Sequence, residues 1–334
     1  MHIERFDPRT DEGRLRACHA MVVAGQPADD PNVPADSFGD FRASWANGED
    51  PAQVWLATDD TGEAVGCYVL ELPERENRDS AFGTVVVAPP HRRQRLGTRL
   101  LAHLAGQAAA ADRSLVMAFT RVGSPGTVFA TAAGARPGML DVRRKLRVDA
   151  ALHARLAGLR SGAADCAAGY ALRSWSGPTP AEFVTGVCAV INALADAPHD
   201  AEYEPEHWDG ARLRAAEERV IARGARWHSV AAIAPDGREV AALTEVRVSA
   251  EQPDWGSQQI TAVTRPHRGH RLGLLVKVAM LELLADREPA LADIVTFNAE
   301  QNEHMVSVNE QLGYRVSDYF QTWMYEVKAG RKLA

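Results

Sequence analysis

The sequence predicts an α/β protein made of two similar halves, each a mixed β-sheet flanked by helices. Three observations carry this. The 334 residues are 46% hydrophobic and 24% charged, ordinary for a globular chain and enough for two domains. The stretch His91-Arg92-Arg93-Gln94-Arg95-Leu96-Gly97 returns as His267-Arg268-Gly269-His270-Arg271-Leu272-Gly273, half a chain later. The flanks of both copies also agree in kind and order. A β-branched run precedes each copy, helical spacing follows it, and a further apolar run leads toward Gly134 or Gly313.

In the first half, Val54–Ala57, Ala64–Leu70 and Ala81–Val87 read as successive hairpin strands. The first motif copy and its helix follow, then an apolar strand from Leu115. Met139–Val148 is strand-like. Residues 149–168 begin as a helix and end in the small, polar run Ser161-Gly-Ala-Ala-Asp-Cys166. A linker is expected here, dividing the chain into domains 1–148 and 169–334.

The second half shows its elements more cleanly. Tyr170–Trp175 reads as a strand, and Pro180–Leu194 has helical spacing through Phe183, Val187, Val190, Ile191 and Leu194. Residues 195–209 are loop-like and acidic. Ala211–Gly224 is a charged helix that ends on glycine. Trp227–Ala234 and Glu239–Ser249 pair around Pro235-Asp236-Gly237. Gln259–Thr264 is a strand, Gly273–Leu284 a helix, Ile294–Phe297 a buried strand, Asn302–Leu312 a helix and Trp323–Val327 a closing strand. The order is strand, two helices, three strands, helix, strand, helix, strand. Adjacent hairpin strands ahead of the last helices indicate a mixed layer fold, not a doubly wound one.

Composition narrows the function. No apolar stretch is long enough to span a membrane, and the charged start MHIERFDPRTDEGR has no secretory core. Cys18, Cys67, Cys166 and Cys188 lack metal or disulfide spacing and are expected as small buried hydrophobes in a reducing cytoplasm. A net charge of −7 argues against a nucleic-acid partner. The eleven His residues form no HxxxH pair on a helix, so no metal is expected. The Ala- and Arg-rich composition suggests a GC-rich bacterial source.

The motif has a physical meaning. A strand that runs into a glycine-containing loop and then a helix presents unpaired backbone N–H groups at the positive end of the helix dipole. That is an anion site suited to a pyrophosphate. Arg92, Arg93 and Arg95, or Arg268 and Arg271, add charge, while Gly97 or Gly273 permits close approach. The spacing is neither the dinucleotide fingerprint nor a Walker motif. It resembles the acyl-CoA pyrophosphate motif of the GNAT N-acyltransferase superfamily, Arg/Gln-x-x-Gly-x-Gly/Ala. Both copies depart from that pattern, with Arg95 and Arg271 in place of its first glycine. In the second half, Thr296-Phe297-Asn298 through Met305, Val308, Asn309 and Gly313-Tyr314 resembles the end of the superfamily domain. The first half matches less well there, with Thr120-Arg121-Val122-Gly123 and no Asn.

The resemblance implies two tandem GNAT-like domains with splayed sheets and direct transfer of an acetyl group from acetyl-CoA to a small-molecule or peptide amine. It assigns Val263, Arg268, Gly269, His270, Arg271, Leu272, Gly273 and Asn302 to acetyl-CoA in the second half. Arg92, Arg93, Arg95, Leu96 and Gly97 take that role in the first. Asn302 can equally cap its helix. Glu245 is the candidate base and Asn298 a candidate ligand of the CoA arm or a catalytic water; Glu71 is the weaker base candidate of the first half. The superfamily's frequent Tyr acid falls on Ala130 and Asn309, neither of which can serve. Asp200, Glu202, Tyr203 and Glu204, in the acidic segment 198–208, are the candidate acceptor contacts and would suit a cationic amine. A solvated acidic loop is the alternative. The second half is expected to carry the chemistry. A catalytic first half, or a non-catalytic acyl-CoA-binding regulator, remain the alternatives.

Overall fold

The computed structural model describes residues 1–327. Its strands are β1 (His2–Phe6), β2 (Ala52–Thr58), β3 (Ala64–Glu71), β4 (Ser80–Val87), β5 (Leu115–Arg121), β6 (Arg136–Arg147), β7 (Ala171–Ser176), β8 (Arg226–Ile233), β9 (Val240–Val248), β10 (Trp255–Val263), β11 (Asp293–Ala299) and β12 (Arg315–Glu326). Its helices are α1 (Glu12–Asp29), α2 (Phe38–Ala46), α3 (Leu96–Ala110), α4 (Pro125–Ala132), α5 (Ala150–Ala164), α6 (Val184–Asn192), α7 (Gly210–Ala222), α8 (Leu272–Arg287) and α9 (Glu303–Leu312). The order expected for the second half is observed in both halves. Among the described residues, no helix is long and apolar enough to cross a membrane.

The chain forms two compact units that do not follow the halves of the sequence. The first comprises Met1–Asp141, Asp200–Glu204 and the described chain from Asp318 on; the second comprises Val142–His199 and Pro205–Ser317. Each half therefore ends in a strand whose last part belongs to the other unit: the end of β6 to the second, most of β12 to the first.

The first unit has strand order β1-β2-β3-β4-β5-β12. Alternation along the strands sorts side chains to two faces. Cys67 and Val69 of β3 join Leu15, Cys18 and Phe41 of α1 and α2, while Tyr68 and Leu70 join Leu96, Leu100 and Leu104 of α3. The second unit has order β6-β11-β10-β9-β8-β7. Ala231, Ile233 and Leu243 pack against Val187, Val190, Ile191 and Leu213 of α6 and α7; Val230, Ala232 and Val246 pack against α8. With both faces covered, β8 and β9 are buried almost without a break, polar residues such as His228, Ser229, Thr244 and Glu245 included.

Residues 149–168, expected as a linker, hold a full helix of the second unit. Asp149 caps α5 by accepting from the Leu152 N–H at 2.8 Å. Leu152, Leu156 and Ala163 are buried in the core that contains α8. This explains why α8 buries Leu272, Leu274, Leu275, Val276, Val278, Met280 and Leu281, which point all round its axis. Cys18, Cys67 and Cys188 are buried as expected, but Cys166, just past α5, is exposed.

Candidate active site: two strand–loop–helix turns and two opened strand pairs

In each unit one parallel strand pair comes apart. β4 and β5 pair only at Ser80↔Leu115, Ala81↔Val116 and Phe82↔Met117. β10 and β11 pair only at Trp255↔Asp293, Gly256↔Ile294 and Ser257↔Val295. Beyond these positions the strands continue without pairing, so their facing N–H and C=O groups are available to an extended ligand. Just past the open end of β4 or β10, a short 3₁₀ turn, Pro89–His91 or Arg265–His267, leads into the motif loop.

The loops have one backbone. Arg92 and Arg268 are extended, at φ −68° and −70°. The next residues turn left-handed: Arg93 at φ 63° and Gly269 at 86°. Arg95 at φ 61° and Arg271 at 53°, where the superfamily motif has its glycine, are left-handed as well and form the N-caps of α3 and α8. The two arginines thus adopt the glycine conformation at a cost of about 1–2 kcal/mol each. Neither makes a side-chain cap hydrogen bond, so the first-turn N–H groups of both helices lack that partner. The donor set fits a diphosphate: main-chain amides at a helix N-terminus among guanidinium groups.

The first arginine of each motif braces the loop. Arg92 donates from Nε to the Val87 carbonyl at 3.1 Å and pairs with Asp29 at 2.6 Å. Arg268 repeats this with the Val263 carbonyl at 3.2 Å and Asp196 at 2.7 Å, and Arg265 shares Asp196. The repeat therefore includes an Asp at or just past the end of the first helix of each half, Asp29 or Asp196, that its sequence context does not advertise. The guanidinium groups beside Asp196 hold its carboxyl below the usual range.

The remaining loop residues differ. Arg93 and Arg95 are exposed, and their side chains make no hydrogen bond or ion pair among the described residues. In the second unit, Arg271 donates to the Gly162 carbonyl at 3.1 Å and to Gln311 at 2.8 Å, and His270 meets the Cys166 carbonyl at 3.2 Å. The C-terminal end of α5 thus holds the second loop from the side. Leu96 and Leu272 are buried anchors. A Cβ on Gly273 would meet only Val263 at 3.9 Å, whereas one on Gly97 would meet the Phe129 ring at 3.2 Å.

The strands leading to the loops also differ. β3 and β4 pair without a break from Gly66↔Val87 to Glu71↔Phe82. β9 and β10 shift register between Gln258 and Thr261, so that Gln259 and Ile260 stand opposite Glu245 alone. This bulge is stabilised by Gln258, which donates to the Glu245 carbonyl at 2.6 Å and the Ile260 carbonyl at 3.0 Å, and by Thr244, which donates to the latter at 3.1 Å. Bulges of this kind re-aim groups beside functional sites. Glu245 lies on the strand face packed by α6 and α7. It is buried and accepts from Ser229 Oγ at 3.1 Å; burial raises its pKa against the opposing pull of Arg247.

Asn298 is on the end of β11 that no longer pairs with β10, and its Oδ1 accepts from Asn309 Nδ2 at 2.6 Å. Asn302 caps α9, accepting from the Met305 N–H at 3.3 Å. The acidic segment is not in the second unit's body: Asp200–Glu204 belong to the first. There Glu204 is tied to Asn77 by three hydrogen bonds, Glu202 pairs with Arg136, and the Tyr203 N–H bonds the Asp200 carbonyl. Asp141, near Asp200, is raised by burial and by that like charge. Glu71 follows Cys67 and Val69 on the face packed by α1 and α2. Although its side chain reaches solvent, the crowded surroundings and Asp50 raise it.

Sequence reasoning missed Lys277. It is a fully buried lysine on α8 that donates to Asn309 Oδ1 at 2.6 Å, and burial brings its pKa down to about 7. A lone Lys inside the apolar run Leu274–Leu284 was the available signal.

Comparison with known proteins agrees with this geometry. The model of the acetyltransferase (GNAT) family matches residues 20–127. No curated protein matches the sequence. Among solved structures, a tandem GNAT protein from the clavulanic acid biosynthesis pathway is 25% identical over 99% of both chains, with a TM-score of 0.82. A GCN5-related N-acetyltransferase from Sphaerobacter thermophilus is 17% identical over 99% of this chain and 97% of that one, with a TM-score of 0.68. A GNAT-family acetyltransferase from Colwellia psychrerythraea is 14% identical over 98% and 100%, with a TM-score of 0.57. Doubled loops, doubled strand openings and a likeness along nearly the whole chain give the protein the fold of a tandem, two-domain GNAT protein, with the family's own model matched within the first half.

Proposed function

We propose that the protein is an acetyl-CoA-dependent N-acetyltransferase acting on a primary amine of a small molecule or peptide, with the transfer in the second unit. The observation that carries the choice of unit is the β10 bulge beside the opened β10–β11 pair, which the first unit lacks. When bound, acetyl-CoA supplies the activated acetyl group. The main-chain amides of residues 269–273 would hold its diphosphate, and the unpaired edges of β10 and β11 its amide-bearing arm.

The chain's own residues then meet two demands. The acceptor nitrogen must lose a proton as its bond to the acetyl carbon forms, and in this reading Glu245, opposite the bulge, takes it, directly or through water. The carbon–sulfur bond breaks, and the departing thiolate needs hydrogen-bond donors and finally a proton. Asn298 offers a donor; a thiol pKa near ~8.5 lets water supply the proton.

A second reading places the reaction in the first unit. It is favoured by the acidic residues there, Asp141, Asp200 and Glu71, which suit a cationic acceptor, and by the family match to residues 20–127. Calorimetry on the full chain with acetyl-CoA, followed by thiol release with a panel of amines, tests the function itself. Binding with turnover of at least one amine supports it, and absence of heat overturns it.

A further inference from the structure

Position 309 is where the superfamily resemblance places a tyrosine, and the chain has Asn309 there, fully buried on α9. Its surroundings are unusual. Lys277, one helix away, is 2% exposed, and its ammonium lies 4.7 Å from the centre of the buried Tyr314 ring. Its hydrogen-bond partner is Asn309, a neutral group. A buried ammonium without a carboxylate is costly and calls for a reason. Arg144 of β6 is buried as well, and its Nη1 has no acceptor among the described residues.

The hydrogen-bond directions follow from chemistry. In its ammonium form Lys277 only donates, and that form turns the Asn309 Oδ1 toward it. The Asn309 Nδ2 then faces β11, and Asn298 must answer with Oδ1, at 2.6 Å. That leaves Asn298 with its NH₂ uncommitted, and it has no acceptor among the described residues. Asn298 itself is beyond the last β10–β11 pair, on the opened stretch of β11. A single charge inside the helix pair thus sets the orientation of two amides in sequence.

We propose that Lys277 is a positioning residue of the second unit: through Asn309 it locks Asn298 as a hydrogen-bond donor on the opened strand, for the thioester oxygen or the departing sulfur. The inference rests on the reading that transfer occurs in this unit. It assigns the site a polarised donor chain where the superfamily pattern has a phenol.

The test is a double-mutant cycle with a structural readout. In the full-length protein without ligand, the side-chain amide NMR signals of Asn298 and Asn309 are expected to shift or broaden in Lys277→Met. Retention of both signals unchanged overturns the inference whatever the kinetics show. In turnover, Lys277→Met and Asn298→Ala are each expected to lower kcat about tenfold while leaving CoA affinity by calorimetry within about threefold. Combining them should cost no more than Asn298→Ala alone. Additive losses overturn the proposal, as does a normal kcat in Lys277→Met. Should Lys277→Met fold poorly, because Asn309 Oδ1 loses its donor, Lys277→Met/Asn309→Leu removes both polar ends and carries the same expectations for kcat and for the Asn298 amide signal. A carboxylate at Gly273 separates the two failures. If Gly273→Asp spares turnover, the choice of unit is wrong, while the amide signals still judge Lys277.

Discussion

α3 and α8 begin from loops with the same backbone and then part company. α3 buries one stripe, Leu96, Leu100, Leu101, Leu104 and Ala108, and its loop arginines Arg93 and Arg95 extend into solvent. α8 is buried nearly all round, because α5 lies against it, and its loop is held through Arg271 and His270. One local sequence signal thus specifies the turn, while the surroundings decide how stiffly it is held and what lies behind it. Pre-organisation of this sort favours binding by lowering the ordering cost. It also uses up charge, since Arg271 already has partners.

The comparison is broken most directly by placing a carboxylate at each helix start. Gly273→Asp has room for its Cβ, and an acid in a first helical turn complements the dipole, so the fold should persist. A diphosphate would meet a like charge there. Turnover is expected to fall about 100-fold or more, with acetyl-CoA affinity falling in parallel. Gly97→Asp needs a small shift of Phe129 and should remove any binding at the first loop, but it should leave most turnover. The opposite ranking in steady-state assays would transfer the chemistry to the first unit.

Glu245 and Glu71 form the next pair. Glu245→Gln is expected to lower kcat about 100-fold and to abolish the rise of activity with pH through the carboxyl's titration. Stability should move the other way. The folded pKa of Glu245 is raised by burial, so its stabilising protonated form is fully present below the ordinary Glu value of ~4.3 and is lost as pH rises through the folded value. Each tenfold change in proton affinity is worth about 1.4 kcal/mol. Thermal melts of Glu245→Gln should therefore match wild type in acid and exceed it at neutral pH. Glu71→Gln is expected to change turnover by no more than about twofold. A large loss there would favour the first-unit reading.

How much of this the sequence made legible depends on range. The order of elements along the chain and the loop–helix turns rest on local periodicity, so both are readable from residues such as Val263, His267 and Gly273. The left-handed turn at Arg95 and Arg271 is not legible in the sequence, because only glycine takes that conformation without cost. Longer-range features were hidden. Residues 149–168 read as a linker because small residues crowd its end; the buried face through Leu152, Leu156 and Ala163 was the missed signal. The acidic run 198–208 looked like one loop of the second half, yet Asp200–Glu204 belong to the first unit because Asn77 and Arg136 bind them. No local pattern encodes a partner more than sixty positions away. The same holds for the chain Lys277–Asn309–Asn298, assembled from three elements.

The smallest expected effect separates the two loops most finely. Arg95 and Arg271 both hold a backbone conformation that glycine takes freely, so glycine should relieve about 1 kcal/mol at each, less the extra freedom it gives the unfolded chain. The side chains decide the balance. Arg95 gives up no hydrogen bond among the described residues, whereas Arg271 gives up bonds to Gly162 and Gln311 that join α5 and α9 to the loop. Arg95→Gly should therefore raise the denaturant midpoint slightly, by up to about 0.5 kcal/mol, and Arg271→Gly should lower it by a similar amount. Equal shifts would mean that α5 does not brace the second loop. Because the loop amides stay in place, acetyl-CoA affinity in Arg271→Gly then reports bracing alone, and a loss of about threefold is what a loosened but intact turn predicts.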